Sequence, residues 1–120
     1  MIYYHYAELV HRQAEKYGSR TALKYRDNAT GKWLKISWKE FSEKVMLTAK
    51  AMAEFGIEVQ DNLGVYSQNM PQCFYTDFGA YANRVVSIPM YATNSPGQIE
   101  YIINDAHIHT SVSYTHLRAH

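Results

Sequence analysis

The sequence predicts an α/β fold, in which part of a doubly wound parallel sheet (βαβαβ) follows a helix, a β-hairpin and a long helix. From residue 62 to residue 106, short apolar runs alternate with helical patterns of about ten residues, as in right-handed βαβ crossovers. Before residue 62, apolar residues follow helical spacing, then strand alternation around a turn, then helical spacing again. The 120 residues therefore amount to one domain at most.

The first elements are a helix and a hairpin. A helix is predicted over residues 5–17, because its apolar residues recur at helical spacing, and Gly18 is placed to end it. Alternating strands are expected over residues 21–26 and 33–36. The turn formers of residues 28–31 join these strands, and the final glycine of the turn can adopt a positive φ.

The longest predicted helix opens at Ser37. Ser37 and Glu40 match the S-x-x-E capping box, and the helix is expected to continue to Phe55, with Gly56 at its C-cap. Residues 57–61 then lead into the sheet. The apolar face of this helix comprises Phe41, Val45, Ala49, Met52 and Phe55.

A strand, a helix and a second strand follow. The first strand contains Leu63 and ends at residues 67–69, and Pro71 fits the first turn of a helix that ends near Asn83. The second strand is predicted over residues 84–88, with Pro89 as its limit because proline cannot donate to a central ladder. The buried face of the helix is predicted to comprise Cys73, Phe74, Phe78, Tyr81 and Ala82.

The last predicted helix begins after Ser95. Pro96 follows this N-cap, and Gln98 stands at the third helical position, close to a capping box. The apolar face expected for this helix comprises Ile99, Ile102, Ile103 and Ala106.

Composition excludes several function classes. The formal net charge is +1, and twelve Lys and Arg are scattered among eleven Asp and Glu, so the basic stripe of a nucleic-acid reader is not expected. No apolar run approaches the roughly 20 residues of a membrane span, and the first residues lack the pattern of a signal peptide. The default location is the cytoplasm. Cys73 stands alone, which fits a reducing compartment, and its position favours a packed thiol over a nucleophile.

Histidine, aspartate and aromatic residues have simple structural explanations. His107 with His109, and His116 with His120, have spacings that could place them on one face, but no Cys, Asp or Glu cluster joins them, so no metal site is predicted. Solvated surface roles are expected for Asp77 and Asp105. Eleven Tyr, four Phe and two Trp follow buried faces and strand alternation, which favours core packing over base stacking.

Three segments carry a family resemblance: ISWKEF, AMAEFGIEVQDNLGVYSQNMP and NRVVSIPMYATNSPGQIEYIINDA. They resemble the N-terminal region of AMP-forming acyl-CoA synthetases, across residues 3–109. The matching elements are Ser37 to Phe41, the Gly56 to Asp61 turn, Asn69 after the first sheet strand, and Pro89 before the last helix. The phrase TALKYRDNATGKWLKISW and the turn at residues 91–93 are most similar to long-chain fatty acid–CoA ligases.

The resemblance implies a two-step reaction in the full-length enzyme. A fatty acid reacts with ATP and Mg²⁺ to give an acyl adenylate and pyrophosphate, and the acyl group then passes to the thiol of coenzyme A. Phosphate chemistry needs a Gly-rich loop, a metal and positioned cations, yet the six glycines never cluster. No catalytic, cofactor-binding or metal-binding residue is therefore assigned, and the chain is expected to bind none of these cofactors itself.

Two expectations concern the extent of the chain. Residues 1–110 are assigned to the N-terminal part of the synthetase domain, and residues 111–120, SVSYTHLRAH, resemble translated sequencing-adapter read-through. The chain is thus interpreted as an inactive N-terminal fragment, with an exposed sheet edge that can self-associate. The alternative is a stand-alone α/β binding or interaction module. For the full-length enzyme, a location peripheral to a membrane is left open.

Overall fold

The computed structural model describes residues 5–114, and the predicted order of elements is confirmed within that range. A helix, a hairpin and a long helix precede a βαβαβ unit. The elements are α1 Tyr6–Tyr17, β1 Thr21–Arg26, β2 Trp33–Ser37, α2 Trp38–Glu54, β3 Asn62–Ser67, α3 Pro71–Ala82, β4 Val86–Tyr91, α4 Pro96–Asp105 and β5 Thr110–Tyr114.

Local chemistry explains where the elements begin and end. The Ser37 hydroxyl accepts a hydrogen bond from the backbone N–H of Glu40 at 3.1 Å and opens α2. Around Ser95 the capping box is complete, and Pro96 occupies the first turn of α4. Gly31 in the hairpin turn and Gly56 after α2 have φ values of 71° and 82°, which glycine adopts without steric cost.

The parallel sheet has the strand order β4-β3-β5 among the described residues. The chain moves from β3 to β4 in one direction and from β4 past β3 to β5 in the other, so right-handed crossovers place α3 and α4 on opposite faces. Leu63 and Val65 of β3 pack with Met52 of α2 and Ala80 of α3. On the other face, a Cβ at Gly64 would lie 2.7 Å from Met90 Cε, so the absence of a side chain lets Met90 fill the space. The sheet is doubly wound.

The helices α1, α2 and α3 and the hairpin enclose a second core. Val10, Ile36, Phe41 and Val45 form its buried cluster, with the inward residues of the hairpin against it. Phe41 meets Phe78 edge to face, with ring centroids 5.7 Å apart, an arrangement that aromatic pairs favour. The hairpin is thereby fixed to the helical layer.

The prediction that the second sheet strand ends at Pro89 is wrong. Strand β4 runs from Val86 to Tyr91, and Pro89 pairs with Val65 inside it. Among the described residues β4 has β3 as its one neighbour, and an edge strand tolerates a residue without an N–H.

The predicted buried face of α3 is also partly wrong. Phe74, Tyr81 and Ala82 are exposed, whereas Thr76, Gly79 and Ala80 are buried. The small residues lie inside because α2 crosses α3 closely: a Cβ at Gly79 would lie 3.2 Å from the backbone nitrogen of Ala49. The large side chains therefore lie beside this contact.

The apolar residues predicted to form the buried face of α4 are only half-buried. Ile99, Ile102, Ile103 and Ala106 are all of intermediate exposure, and no residue of α4 is buried. Among residues 5–114, α4 does not pack closely against another helix, unlike α3, which packs against both α1 and α2.

Candidate functional site at the carboxyl edge of the sheet

The carboxyl ends of the three parallel strands define one edge of the sheet, at Ser67, Tyr91 and Tyr114. In open α/β sheets, ligands bind outside this edge, where neighbouring connections leave in opposite directions. Here the connections diverge on either side of β3, which makes the segments after β3 and β4 the candidate site.

The segment after β3 turns directly into α3. The Ser67 hydroxyl donates a hydrogen bond to the carbonyl of Gln68 at 2.7 Å, and Pro71 begins the helix two residues after Asn69. The N-cap residue, Met70, makes no side-chain hydrogen bond, in contrast to Ser37 and Ser95. The first turn of α3 therefore lacks the side-chain cap that opens α2 and α4.

Cys73 lies in the first turn of α3, partly buried against the cluster of Leu63 and Val65. Burial raises the pKa of its thiol, and the Asp77 carboxylate raises it further, while a hydrogen bond with Ser67 acts in the opposite direction. A thiolate is the nucleophilic form of cysteine, so this environment suits a packed thiol.

An open cleft of about 630 Å³ lies beside the segment after β4. The exposed rings of Tyr91 and Tyr101 lie on either side of the cleft and are 66% and 68% accessible. Ser95, which also lines the cleft, caps the N-terminus of α4 through the capping box. The Tyr66 hydroxyl donates to the carbonyl of Ala92 at 3.2 Å, which ties this segment to β3. The cleft is lined by Pro89, Tyr91, Asn94, Ser95, Gly97, Gln98, Tyr101 and Ile102.

The lining determines what this cleft can do. It offers aromatic surface, hydroxyls and amides, and none of its lining residues carries a carboxylate or a cation. Such a surface can hold an apolar or aromatic group, and its neutral side chains do not balance the charge of a phosphate. Neither Tyr101 nor Asn94 was predicted from the sequence to be a cleft residue. The turn after β4 was a usable signal, because segments after strands line this edge.

The candidate residues from the sequence do not meet at this edge. The Asp77 carboxylate is half-buried and accepts a hydrogen bond from the Ser87 hydroxyl at 2.7 Å, so it differs from the solvated side chain that was expected. It lies on the side of α3 that faces β4. Asp105 is exposed in the last turn of α4, as expected.

The histidines lie at the opposite, amino end of the sheet. His107 has a φ of 54° just after α4, and His109 precedes β5, so the two do not share a strand. Both are exposed. No group of three or more His, Cys, Asp or Glu with metal-ligand geometry occurs within residues 5–114. His116 and His120 lie outside the described residues.

Residues 10–119 match the model of the family described as AMP-binding enzyme. A probable CoA ligase of Humulus lupulus is 26% identical over 83 residues, 69% of this chain and 13% of that protein. A long-chain-fatty-acid–CoA ligase of Gallus gallus is 27% identical over 112 residues, 93% of this chain and 14% of that protein. The chain thus spans about one seventh of the length of these relatives.

A solved structure shows the same fold. The inhibitor-bound N-terminal domain of FACL13 from Mycobacterium tuberculosis superposes with a TM-score of 0.81 at 14% identity, over 91% of this chain and 26% of that one. The superposition thus includes about nine tenths of this chain.

Proposed function

The chain belongs to the AMP-binding enzyme family, and we propose that it forms the N-terminal part of an ATP-dependent, AMP-forming fatty acid–CoA ligase. The observation that carries this proposal is the family match over residues 10–119, nearly the whole chain. Relatives named as long-chain fatty acid–CoA ligases support the fatty acyl substrate. A stand-alone module is not favoured, because the match and the fold both extend through every element.

In this proposal the complete enzyme activates a fatty acid with ATP and then forms a thioester with coenzyme A, with Mg²⁺ as the metal. The described residues do not fit the metal or the phosphates at this edge, since the cleft has no charged lining residue and residues 5–114 contain no metal-ligand cluster. In this proposal the reacting groups belong to other parts of the enzyme.

The role proposed for this chain is structural. Strand β3 is central among the described strands, and the α1–α2–α3 layer covers one of its faces. This arrangement fixes the segments after β3 and β4 at the edge where ligands bind in such sheets. Among residues 5–114, no helix has the length and apolar character needed to cross a bilayer. A cytoplasmic location is proposed for the enzyme.

The domain assignment also remains a proposal. Residues 111–114 belong to β5, which pairs with β3, while residues 115–120 lie outside the described residues. We propose adapter read-through as the origin of residues 111–120, although the family match itself extends to residue 119. Resequencing the gene across residue 110 tests this, since a genomic sequence that encodes SVSYTHLRAH contradicts it.

The coding sequence downstream of residue 110 tests the functional proposal. The resemblance to AMP-forming acyl-CoA synthetases implies a Ser/Thr/Gly-rich loop that ends in Pro-Lys-Gly, about one strand–helix unit further on. Glycine-rich loops of this kind present backbone N–H groups to phosphates. A reading frame that continues without any Gly-rich loop after a strand would contradict an adenylating enzyme.

A further inference from the structure

We propose that the β1–β2 hairpin is a docking surface for a bilayer that contains anionic lipids, with Trp33 entering the headgroup region. The proposal rests on the charges, register and exposure of the hairpin and is independent of the catalytic proposal.

The charge of the chain is concentrated in the hairpin. Residues 20–37 carry a net charge of +4 against +1 for the whole chain, so the remaining residues carry −3. The scattered distribution seen along the sequence conceals this asymmetry. The basic residues of the segment are Arg20, Lys24, Arg26, Lys32 and Lys35, and its acidic residue is Asp27.

The strand register places three of these basic residues on one face. Lys24 lies opposite Lys35 and Arg26 lies opposite Trp33, and all four side chains are exposed. Successive residues of a strand alternate between faces, so these four share the outer face while their neighbours point inward. The inward residues Leu23, Tyr25 and Ile36 pack on the core.

This face has no internal counter-charge. The ion pairs found within residues 5–114 lie on α1, between His11 and Glu15 and between Arg12 and Glu8. Like charges directly opposite each other in a sheet destabilise it. Lys24 and Lys35 therefore form a positive surface that an external anion can neutralise.

Trp33 supplies the apolar contact. Its side chain is 69% exposed, whereas Trp38 is half-buried and packs near Phe41. Trp33 also lines a cleft of about 260 Å³ with Met70 and the exposed Phe74, so apolar surface continues from the hairpin to the start of α3. Tryptophan favours the bilayer interface, where its ring is buried and its N–H meets polar groups.

The shape of this face favours a lipid surface over a polyanionic chain. The outer face is two strands wide and presents its charges around one projecting ring. A continuous plane of anionic headgroups can contact all of them at once, and each cationic side chain near such a plane contributes about a fivefold gain in binding.

Flotation of the 120-residue chain with vesicles on a density gradient tests the proposal, because lipid-bound chain floats whereas self-associated chain does not. Vesicles of phosphatidylcholine and phosphatidylglycerol in equal parts should bind the chain, and binding should fall steeply with added salt, because the attraction is screened. Phosphatidylcholine alone should bind it far less. The double variant Lys24→Gln, Lys35→Gln should weaken binding about 25-fold, by the same fivefold contribution per charge.

A matched control changes the same charge elsewhere. Lys44→Gln with Lys50→Gln alters two exposed lysines of α2 and should leave binding unchanged. Circular dichroism of both double variants establishes that they keep the fold. In the variant Trp38→Phe, the emission of Trp33 should shift to the blue on binding and be quenched by brominated lipid.

Several results would overturn the proposal. These are equal binding to both vesicle types, equal weakening in the two double variants, and Trp33 emission that is unchanged in the bound state. Tight binding to polyglutamate or RNA without binding to the anionic vesicles would assign the surface to a polyanion instead. None of these outcomes depends on ATP or fatty acid, so they leave the catalytic proposal unaffected.

Discussion

The contact between α2 and α3 at Gly79 gives the sharpest test of the packing. A Cβ at this position would lie 3.2 Å from the backbone nitrogen of Ala49 and 3.2 Å from Thr48 Cγ2. Backbone cannot move aside as a flexible side chain can, so Gly79→Ala must separate the two helices or strain them. Overpacking of this kind costs about 1–3 kcal/mol.

Gly97 provides the matched control. It also lies in a helix, α4, but nothing lies within 4 Å of a Cβ built there. Gly79→Ala gains about 1 kcal/mol of helix propensity in the interior of α3, whereas Gly97 lies in the first turn of α4 and its substitution does not affect α2 or α3. This gain offsets part of an overpacking cost of about 2 kcal/mol, the middle of the range, so α2 and α3 should be less stable in Gly79→Ala than in Gly97→Ala by about 1 kcal/mol.

Hydrogen–deuterium exchange is the appropriate assay, because it reports local opening in each helix and does not require a cooperative melt. In Gly79→Ala, amides of α2 and α3 should exchange about fivefold faster than in Gly97→Ala, which is the same free-energy difference expressed as a rate ratio. If the amides of α2 and α3 exchange at equal rates in the two variants, the claim that these helices pack closely at Gly79 is refuted.

Three further predictions concern other parts of the fold. Arg84 follows the C-cap of α3 and has a φ of 57°. Arg84→Gly should stabilise the chain by roughly 0.5–1 kcal/mol in exchange measurements, because relief of the left-handed conformation exceeds the entropy that glycine loses on folding. Gly56 has a φ of 82°, and Gly56→Ala should destabilise the chain for the same reason. The pKa of the Cys73 thiol is raised above its ordinary value of 9.0, so the thiol stays protonated to higher pH in the folded chain than in the unfolded chain. Its contribution to the free energy of unfolding is therefore fully present below pH 9.0 and is lost as pH rises through the pKa of the folded state. Cys73→Ala should reduce this loss of stability at alkaline pH, and an unchanged dependence of stability on pH would contradict the prediction. The outer edges of β4 and β5 have no neighbour among the described residues, so the chain should self-associate with concentration in analytical ultracentrifugation, and a monomer with a sharp two-state melt would favour a self-sufficient module.

Sequence patterns were sufficient where local chemistry decides the structure. The Ser37 and Ser95 caps, the Gly31 turn and the start of α3 at Pro71 follow from side chains close in sequence, and all are present. The predicted end of β4 at Pro89 was wrong because a proline is tolerated in an edge strand but not in a central one. The position of a strand in the sheet depends on residues that are distant in sequence.

Packing between elements that are distant in sequence could not be predicted from sequence patterns. The face of α3 was predicted from large apolar residues, but the closeness of α2 selects small ones such as Gly79 and Ala80. The basic face of the hairpin was missed for a similar reason. Lys24 and Lys35 are eleven residues apart and become neighbours only through strand register.

Pyrophosphate release tests the central claim most directly. The polypeptide encoded by the complete gene, incubated with ATP, Mg²⁺ and a long-chain fatty acid, should release pyrophosphate in a manner that depends on the fatty acid, and then consume coenzyme A. Residues 1–120 alone should release none, because the cleft they form has no charged lining residue. Release by residues 1–120, or no release by the complete polypeptide with any fatty acid, would contradict the assignment of this chain as the N-terminal part of a fatty acid–CoA ligase.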